Sequence, residues 1–210
     1  MEDVIETYTL PIDENNPVVC FDESPFQLLR DVREPIAMKP GQPRREDCEY
    51  KRCGVAEVMM ICQPAAGLRK AMVMSNRRKP DFAAVCKEID RMFPKAQKIT
   101  LVCDNLNTHT MGALYATFPA EEARRLAKKI QIKHTPKHGS WLNIAELEFA
   151  VLGRGVFKKR IADPEQLQRE LDAVCAQRNA VAAPVRWQFN LSRARQKMAW
   201  AYPKVLNESS

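Results

Sequence analysis

The sequence predicts a mixed α/β domain in which helices cover a central sheet. Antiparallel strand signals lie in the first third of the chain, and helical and short apolar strand signals alternate after residue 80. With 210 residues, 45% of them apolar, the chain is long enough to bury one substantial core. We therefore expect an N-terminal arm at 1–15, one domain at 16–203 and a short tail at 204–210.

The first half of the chain is predicted to form three strands and a helix. Residues 1–15 are expected to be an extended arm that ends at DENNP, because asparagine and proline favour turns. VVCFD indicates a buried strand ending at Asp22, and QLLRDVREPI is either a short strand or irregular before an exposed basic loop. GVAEVMMICQ and RKAMVMS flank PAAG, a spacing typical of an antiparallel hairpin. From Pro80 onwards apolar residues recur at helical spacing, at Phe82, Val85, Ile89 and Met92.

The second half alternates strands and helices. KITLVCD indicates a strand ending at Asp104, and two helical segments follow, GALYATF and AEEARRLAKKI, separated by Pro119. IQIKH is a brief strand. WLNIAELEFAVLGRGVF carries an apolar stripe at helical spacing, which predicts one continuous helix with Ser140 as a possible N-cap. A final helix is expected over 164–180, opened by Asp163.

Composition excludes several classes of protein. No apolar run approaches the roughly 18 residues that a membrane-spanning helix needs. The acidic start MEDVIETYTL lacks the basic and apolar regions of a signal peptide, so we expect a cytoplasmic protein. The seven cysteines are an odd number and mostly lie in apolar stretches, which indicates reduced core residues. Cys48 and Cys53 form a close pair, but without a second pair or a nearby His they do not predict a zinc site.

The net charge of +7 is unevenly distributed along the chain. Residues 1–123 contain 16 Lys and Arg against 19 Asp and Glu, whereas residues 124–210 contain 17 against 7. Such asymmetry suggests a polyanionic partner, because cationic side chains gain affinity for phosphate backbones by releasing condensed counterions. A solvated helical surface is the alternative explanation.

Three acidic residues are candidates for a metal site. Asp22 and Asp104 both end apolar strands, and carboxylates at strand ends converge when their strands are neighbours. The helix after KHGS offers a third acid, Glu146 or Glu148, which lie about 200° apart around the helix axis. Glu146 shares its face with polar and small residues such as Asn143, so we choose Glu146 and expect replacement of Glu148 to be mild.

Three carboxylates can hold two hard divalent cations and support in-line phosphoryl transfer. One ion activates the attacking water, and the other stabilises the leaving oxygen. Taken singly, each acid is better explained as a helix cap, a turn residue or a surface group. The order and surroundings of the acids therefore carry the argument.

The segments CFDES, VCDNLNTH and TPKHGSWLNIAELEF resemble, in this order, the three catalytic blocks of bacterial insertion-sequence transposases related to the mariner group. The resemblance covers about residues 16–203. It implies an RNase H-like fold and an Asp-Asp-Glu triad, with Asp22, Asp104 and Glu146 as the catalytic residues and metal ligands. The implied cofactor is Mg²⁺, for which Mn²⁺ can substitute, with two ions at the site.

The same resemblance implies an activity and its partners. Such enzymes cut the ends of the element with water and then use the freed 3′-hydroxyl to attack target DNA, with insertion at TA dinucleotides. The implied partners are element ends and target DNA, and a homodimer is possible. Full transposases of this kind carry an N-terminal helix-turn-helix region. Only a short arm precedes Asp22, so we expect that region to be separate or missing.

The chain also departs from the mariner pattern in one interval. The segment between Asp104 and Glu146 is several residues longer, on account of PAEEARRLAKK, although longer helical insertions fit the bacterial branch. Polar and basic residues near the three blocks are candidates for DNA contact, with turn formation or a solvated loop as the alternative. These candidates are Asn105, Asn107, Lys137, His138, Asn143, Arg44, Arg45, Lys158, Lys159 and Arg160.

Two alternative functions remain open from sequence. One is an RNase H-like nuclease without transposition. The other is a non-catalytic remnant that keeps the fold and a basic surface but only binds nucleic acid or a partner. An intact triad argues against decay, and binding of Mg²⁺ or Mn²⁺ through the triad would separate the enzymes from the remnant.

Overall fold

The computed structural model describes residues 1–43, 45–182, 184–185 and 187–201. Arg44, one of the residues predicted to contact DNA, lies outside the described residues, as does the predicted tail at 204–210.

Five strands form one mixed sheet with the spatial order β3-β2-β1-β4-β5. The β1–β2 and β2–β3 pairs are antiparallel, whereas the β1–β4 and β4–β5 pairs are parallel. The predicted mixed α/β sheet is therefore confirmed. The strands are β1 (Val18–Asp31), β2 (Tyr50–Gln63), β3 (Leu68–Met74), β4 (Ile99–Cys103) and β5 (Ile130–His134).

Helices cover both faces of this sheet. The described α-helices are α1 (Glu2–Thr9), α2 (Lys79–Met92), α3 (Met111–Thr117), α4 (Ala120–Lys129), α5 (Ala145–Leu152), α6 (Pro164–Val181) and α7 (Leu191–Lys197). Short 3-10 turns lie at Ser140–Leu142, Val156–Lys158 and Ala199–Ala201.

Strand alternation divides the core into two layers. On β1, Val19 and Phe21 face α2, α3 and α4, and they pack there with residues such as Ile89. Cys20 faces the opposite side, where it packs with Ala145 of α5. The same face continues along the sheet to α6, whose Leu167 and Leu171 pack against Met60 and Ala71. The two layers are thus separate hydrophobic cores, and β1 contributes side chains to both.

The local signals for the hairpin and for α6 are confirmed. Gly67 closes the β2–β3 turn with a φ of 67°, a left-handed conformation that glycine adopts without steric cost. Its N–H donates to the Gln63 carbonyl at 3.0 Å. At the start of α6, the Asp163 side chain accepts from the Gln166 N–H at 2.9 Å, which makes Asp163 the N-cap.

The prediction of an extended N-terminal arm is wrong for residues 2–9. This segment forms α1, in which Val4 and Ile5 are buried against the α5 side of the sheet. The Tyr8 hydroxyl donates to the Leu142 carbonyl at 2.9 Å. Val4 and Ile5 stabilise this helix only when a surface is present to bury them. Tertiary packing therefore decides that the segment is helical.

The predicted end of the first strand is also wrong. β1 does not stop at Asp22 but runs to Asp31, paired with β2 along this length with one irregularity between Gln27 and Leu29. β2 is equally long, so it supplies backbone hydrogen-bond partners to residues 27–31. These residues begin QLLRDVREPI, which the sequence left as either a short strand or irregular. Asp22 therefore lies within a strand, at the point where pairing with β4 has ended at Cys20.

The continuous helix predicted over WLNIAELEFAVLGRGVF is divided into three pieces, and Ser140 is not its cap. A 3-10 turn covers Ser140–Leu142, and α5 begins only after Ile144, its N-cap residue. The Asn143 side chain causes the interruption, because its Oδ1 accepts from the Ala145 N–H at 3.2 Å. The α5 helix ends at Leu152, next to Gly153.

All seven cysteines lie in the described residues and are free thiols, five of them buried. This confirms the expectation of reduced core residues at those five positions. Burial raises the pKa of the Cys86 thiol to about 12, so this side chain stays protonated. In the described part of the chain, no helix is both long and apolar enough to cross a membrane.

We predict that Asp90→Asn will loosen the contact between α2 and α4. Asp90 accepts from Arg125 Nη2 at 2.8 Å and from Lys129 Nζ at 2.7 Å. Partial burial raises the pKa of Asp90, but these hydrogen bonds outweigh that effect and hold the pKa below its usual range. The substitution should lower the free energy of unfolding by about 1 kcal/mol at pH 7.

The pH dependence checks the cause. Because the folded pKa of Asp90 is depressed, its contribution is complete above the unfolded value of about 3.9 and is lost as pH falls through the lower folded value. Urea unfolding at pH 7 and at decreasing acid pH should therefore show the gap between wild type and variant closing. Glu121→Gln, exposed on α4, is the control and should leave stability unchanged. A gap that persists at the lowest pH would contradict the electrostatic origin.

Candidate active site

Asp22 and Asp104 are brought level by the parallel pairing of β1 with β4. The register joins Val18 to Thr100 and Cys20 to Val102, and two further residues along each strand lead to Asp22 and Asp104. Cys20 and Val102 both pack on the α5 side of the sheet, so strand alternation directs Asp22 toward that side, whereas Asp104 follows directly after the end of β4. The two acids predicted from strand ends therefore do converge.

Glu146 faces the same edge from the first turn of α5. Its charge is among those that raise the pKa of Asp22, and its N–H donates to the Asn143 carbonyl at 3.2 Å. Asn143 in turn is tied to the sheet, because its Nδ2 donates to the Phe21 carbonyl at 2.7 Å. This buried hydrogen bond fastens the start of α5 to the residue next to Asp22.

Negative charge accumulates at this edge. Burial raises the pKa of Asp22 to about 7, and the charges of Glu23, Asp104 and Glu146 add to the rise. The Glu23 N–H donates to Asp22 Oδ1 at 2.9 Å, which works in the opposite direction. A half-buried carboxylate among three others is a place where a cation would be stabilised.

His109 holds Asp104 and was not assigned to the site from sequence. Its Nδ1 lies 2.6 Å from Asp104 Oδ1, and its Nε2 lies 3.4 Å from Glu23 Oε2. The hydrogen bond from His109 lowers the pKa of Asp104. Burial lowers the pKa of His109, but the hydrogen bond to Asp104 and the charge of Glu23 outweigh it, and the net shift is upward. The imidazole thus bridges two acids from the α2 layer.

Aromatic contacts fix the His109 ring. It is tilted by 32° to the Phe82 ring at a centroid distance of 4.8 Å and lies edge-on to Phe21 at 5.2 Å. Its carbonyl oxygen lies 2.8 Å from His134 Nε2. The sequence contained one signal for the contact between Glu23 and His109, since Glu23 shares a strand face with Phe21. That signal could be used only once the position of His109 was known, and the fold alone supplies it.

Glu148 confirms the helical-face argument but not the expectation of a mild effect. It lies on the opposite side of α5 from Glu146 and is 3% exposed. There it forms ion pairs with Arg69 of β3 and Arg178 of α6, at 2.8 Å and 3.0 Å. Removing one member of a buried ion pair leaves a charge without its partner, so replacement of Glu148 should be costly.

The acids at the Asp22 edge lie near each other, but their side chains are not close enough to coordinate one metal ion together. Within the described residues, no three His, Cys, Asp or Glu side chains are grouped closely enough to hold a metal ion. The donor chemistry nevertheless fits a hard divalent cation, because Asp22, Asp104 and Glu146 offer carboxylate oxygens. Burial is the main cause of the raised pKa of Asp22, and the negative charges of Glu23, Asp104 and Glu146 add to it.

Four predicted DNA-contact residues are exposed in the loops that flank the acids. Asn105 and Asn107 follow Asp104, and Lys137 and His138 lie in the loop before α5. His138 has a φ of 61°, which turns the chain sharply at this position. Arg45 is exposed farther away, in the loop between β1 and β2, where it bridges to Ile36.

The expectation that Asn143 contacts DNA is wrong. Its side chain is 1% exposed, and both polar atoms are used inside the protein, by Phe21 and Ala145. The amide is buried because the carbonyl of Phe21 lies just beyond the last β1–β4 pair and needs another donor. Asn143 therefore shapes the site from inside the fold.

Lys158, Lys159 and Arg160 lie at the far end of β1 from the acids. Lys159 pairs with Glu170 at 2.7 Å, and Arg160 pairs with Asp31 at 2.6 Å, whereas Lys158 is exposed. Asp31 is nine residues from Asp22 along an extended strand, a separation of roughly 30 Å. The cluster therefore lies far from the acidic edge, and two of its charges are already compensated.

A family model described as DDE superfamily endonuclease matches residues 17–168, which is well over half of the chain. The chain belongs to this family. The match includes all three acids at the Asp22 edge. No relative among the curated proteins matches this DDE superfamily endonuclease.

Solved structures of Mos1 mariner transposase complexes are similar to this DDE superfamily chain. The paired-end complex with Mn has a TM-score of 0.57 at 14% identity, covering 86% of this chain and 54% of that chain. The paired-end complex with Mg has a TM-score of 0.52 at 16% identity, covering 84% and 52%. The strand transfer complex has a TM-score of 0.52 at 15% identity, covering 86% and 54%.

These similarities establish the fold. The mixed sheet with flanking helices is the RNase H-like fold of DDE transposases, as the sequence resemblance implied. The chain of this DDE superfamily endonuclease spans about half the length of the Mos1 chains.

We predict that Asn143→Ala will destabilise the protein rather than weaken DNA binding alone. The change removes the donor to the Phe21 carbonyl and the acceptor for the Ala145 N–H, both buried. The free energy of unfolding should fall by about 2 kcal/mol, measured by urea denaturation. Asn107→Ala, at an exposed position beside the same acids, is the control and should change stability by less than about 0.5 kcal/mol. Equal stability of the two variants would refute the buried role of Asn143.

Proposed function

We propose that residues 16–203 form the catalytic domain of a DNA transposase that cleaves and joins DNA strands. The observation that carries this proposal is the convergence of Asp22, Asp104 and Glu146 at one edge of the sheet. Membership of the DDE superfamily endonucleases supports the nuclease chemistry. The Mos1 structures supply the analogy for transposition, since they include a pre-cleavage transpososome and a strand transfer complex.

We propose that these three carboxylates hold divalent cations, two Mg²⁺ or Mn²⁺ ions. Mos1 complexes have been solved with Mn and with Mg, which supports the same choice here. When bound, such cations would neutralise charge on a scissile phosphate and act as Lewis acids. The acids themselves would supply hard oxygen ligands, a role for which they must be ionised.

The protein would contribute positioning and charge. Asp22 is held within a paired strand, so its carboxylate has a rigid base. Both hydrogen bonds to Asp104 fall on Oδ1, from His109 and from the Leu106 N–H at 3.3 Å. His109 would keep this oxygen in a fixed direction, with its own ring fixed by Phe82. Such preorganisation spares the site a rearrangement when substrate binds.

We propose that the loops beside the acids bind the DNA backbone. Lys137 and His138 are exposed before α5, and Asn105 and Asn107 are exposed after β4. Lysine and amide groups suit phosphate and sugar contacts, which position DNA without reading its sequence. Arg45 and Lys158 would make contacts more remote from the acids. Lys159 and Arg160 would contribute less, because Glu170 and Asp31 already pair with them.

We also propose partners by analogy with Mos1. One Mos1 structure is a paired-end complex with the left transposon end, so element ends are the proposed ligand here. A homodimer and a helix-turn-helix region that recognises the ends belong to the same proposal. Metal-dependent cleavage is the part that purified protein tests first.

We predict that Asp22→Asn, Asp104→Asn and Glu146→Gln will each abolish Mn²⁺-dependent nicking of supercoiled plasmid. Each change removes one ionised ligand while keeping the size of the side chain. The measurement is conversion of supercoiled to relaxed plasmid on a gel, with and without chelator. Circular dichroism should show native helix content in each variant.

The matched control is Glu165→Gln, the same chemical change at a side chain of α6 that is 87% exposed. It should nick at the wild-type rate. Nicking that survives in the Glu146 variant would contradict the assignment of that ligand. A wild-type protein that binds DNA but shows no metal-dependent nicking would favour the non-catalytic alternative.

We predict that Lys137→Gln will reduce the salt dependence of DNA binding. If Lys137 contacts a phosphate, the slope of log affinity against log salt concentration should become shallower by about one. Fluorescence anisotropy with a labelled duplex of arbitrary sequence measures this slope. Lys159→Gln should have a smaller effect, because Glu170 lies 2.7 Å from its Nζ. A larger change of slope in Lys159→Gln than in Lys137→Gln would indicate that DNA binds near the far end of β1 and not at the loop before α5.

A further inference from the structure

Helix α5 carries acidic side chains on two opposite sides. Glu146 faces the edge of the sheet that holds Asp22, whereas Glu148 is buried toward β3 and α6. The two positions are about 200° apart around the helix axis. Any contact that fixes the rotation of α5 through Glu148 therefore also fixes the direction of Glu146.

The contacts of Glu148 engage both carboxylate oxygens and include a hydrogen bond from Arg178. Oε1 lies 2.8 Å from Arg69 Nε and accepts from Arg178 Nη2 at 3.1 Å, and Oε2 lies 3.0 Å from the same Nη2. The side chains of Arg69 and Glu148 are 3% and 4% exposed. Solvent therefore screens this charge pair very little.

Arg69 is itself held firmly, so it can serve as a fixed reference. Its N–H donates to Asn179 Oδ1 at 2.8 Å, and its carbonyl accepts from Asn179 Nδ2 at 2.9 Å. Its Nη1 donates to the Gly67 carbonyl at 2.6 Å. These bonds attach Arg69 to α6 and to the β2–β3 turn as well as to its own strand.

Helix α5 needs such an external reference. It has eight residues, fewer than an isolated helix requires, and its N-cap is Ile144, which has no polar side-chain atom. Its apolar contacts, such as those of Ala145 and Leu152, hold the helix down but are not directional. A buried ion pair is a poor source of net stability compared with packed apolar groups, so its specific contribution here is orientation.

We infer that Glu148 is a positioning residue for Glu146. Its buried ion pairs with Arg69 and Arg178 set the rotation of α5 so that Glu146 meets Asp22 and Asp104. The inference rests on the proposed function, because that proposal makes Glu146 a metal ligand. Supporting groups that orient metal ligands commonly change metal affinity by 10-fold to 100-fold when they are removed.

The test measures Mn²⁺ affinity of the full 210-residue chain by electron paramagnetic resonance of the free ion. Four proteins form a cycle: wild type, Glu146→Gln, Glu148→Gln and the double variant. Glu148→Gln should weaken Mn²⁺ binding about tenfold. Because Glu148 acts through Glu146, the double variant should bind Mn²⁺ no more weakly than Glu146→Gln alone.

A control separates positioning from general destabilisation. Leu126→Ala creates a cavity in the opposite layer, on α4, and should lower the melting temperature without changing Mn²⁺ affinity. All affinities are measured below the melting temperature of the least stable variant. If Glu148→Gln does not fold, Arg178→Gln replaces it in the cycle, keeps the Arg69 contact and should weaken binding about threefold.

The outcomes are distinguishable. Wild-type Mn²⁺ affinity in a folded Glu148 variant overturns the inference while the proposed function stands. So does a loss of affinity on Glu148→Gln that is equal in the presence and in the absence of Glu146→Gln. In the replacement cycle, unchanged affinity in the Arg178 variant has the same meaning. A wild-type protein that does not bind Mn²⁺, or a Glu146 variant that binds it as wild type does, contradicts the proposed function, and the inference falls with it.

Discussion

The short parallel pairing of β1 with β4 is the constraint on which the acidic edge depends. The register joins Val18 to Thr100 and Cys20 to Val102, and everything that follows on both strands inherits it. A slip of one residue would turn Asp22 to the opposite face and bring Glu23 in its place, because side chains alternate along a strand. The register is held by the core, since Val19 and Leu101 are completely buried in the α2 layer. Apolar packing thus determines where the carboxylates lie.

Polar groups on the α5 side then bring Glu146 to the same edge. Asn143 replaces the hydrogen bond that β4 no longer supplies to the Phe21 carbonyl, and so ties the start of α5 to β1. Glu148 attaches the other side of the same helix to Arg69. Between these two attachments, Glu146 has a defined direction although its own helix is short. The buried polar groups around α5 therefore specify geometry more than they add stability.

The two layers of the protein contribute differently to the charge at the edge. Asp22 and Glu146 gather on the α5 side, where burial and mutual repulsion raise the pKa of Asp22. His109 approaches from the α2 side, packed on Phe82, and lowers the pKa of Asp104. One acid is thus stabilised in its charged form by the protein itself, whereas its neighbour is left to be stabilised from outside. In the function proposed above, a cation and not the fold would complete the charge balance at this edge.

The sequence by itself determined the elements whose signals are local, and it placed Glu146 and Glu148 on opposite sides of α5. Helical spacing predicted α2, PAAG predicted the β2–β3 hairpin, and the helical-face argument separated Glu146 from Glu148, because these patterns depend only on neighbours along the chain. Tertiary structure alone decided that residues 2–9 are helical, that β1 continues to Asp31 and that Asn143 is buried. It also brought His109 to Asp104 and Arg69 to Glu148. Each of these depends on a partner distant in sequence, and burial against that partner supplies the free energy that local preference lacks.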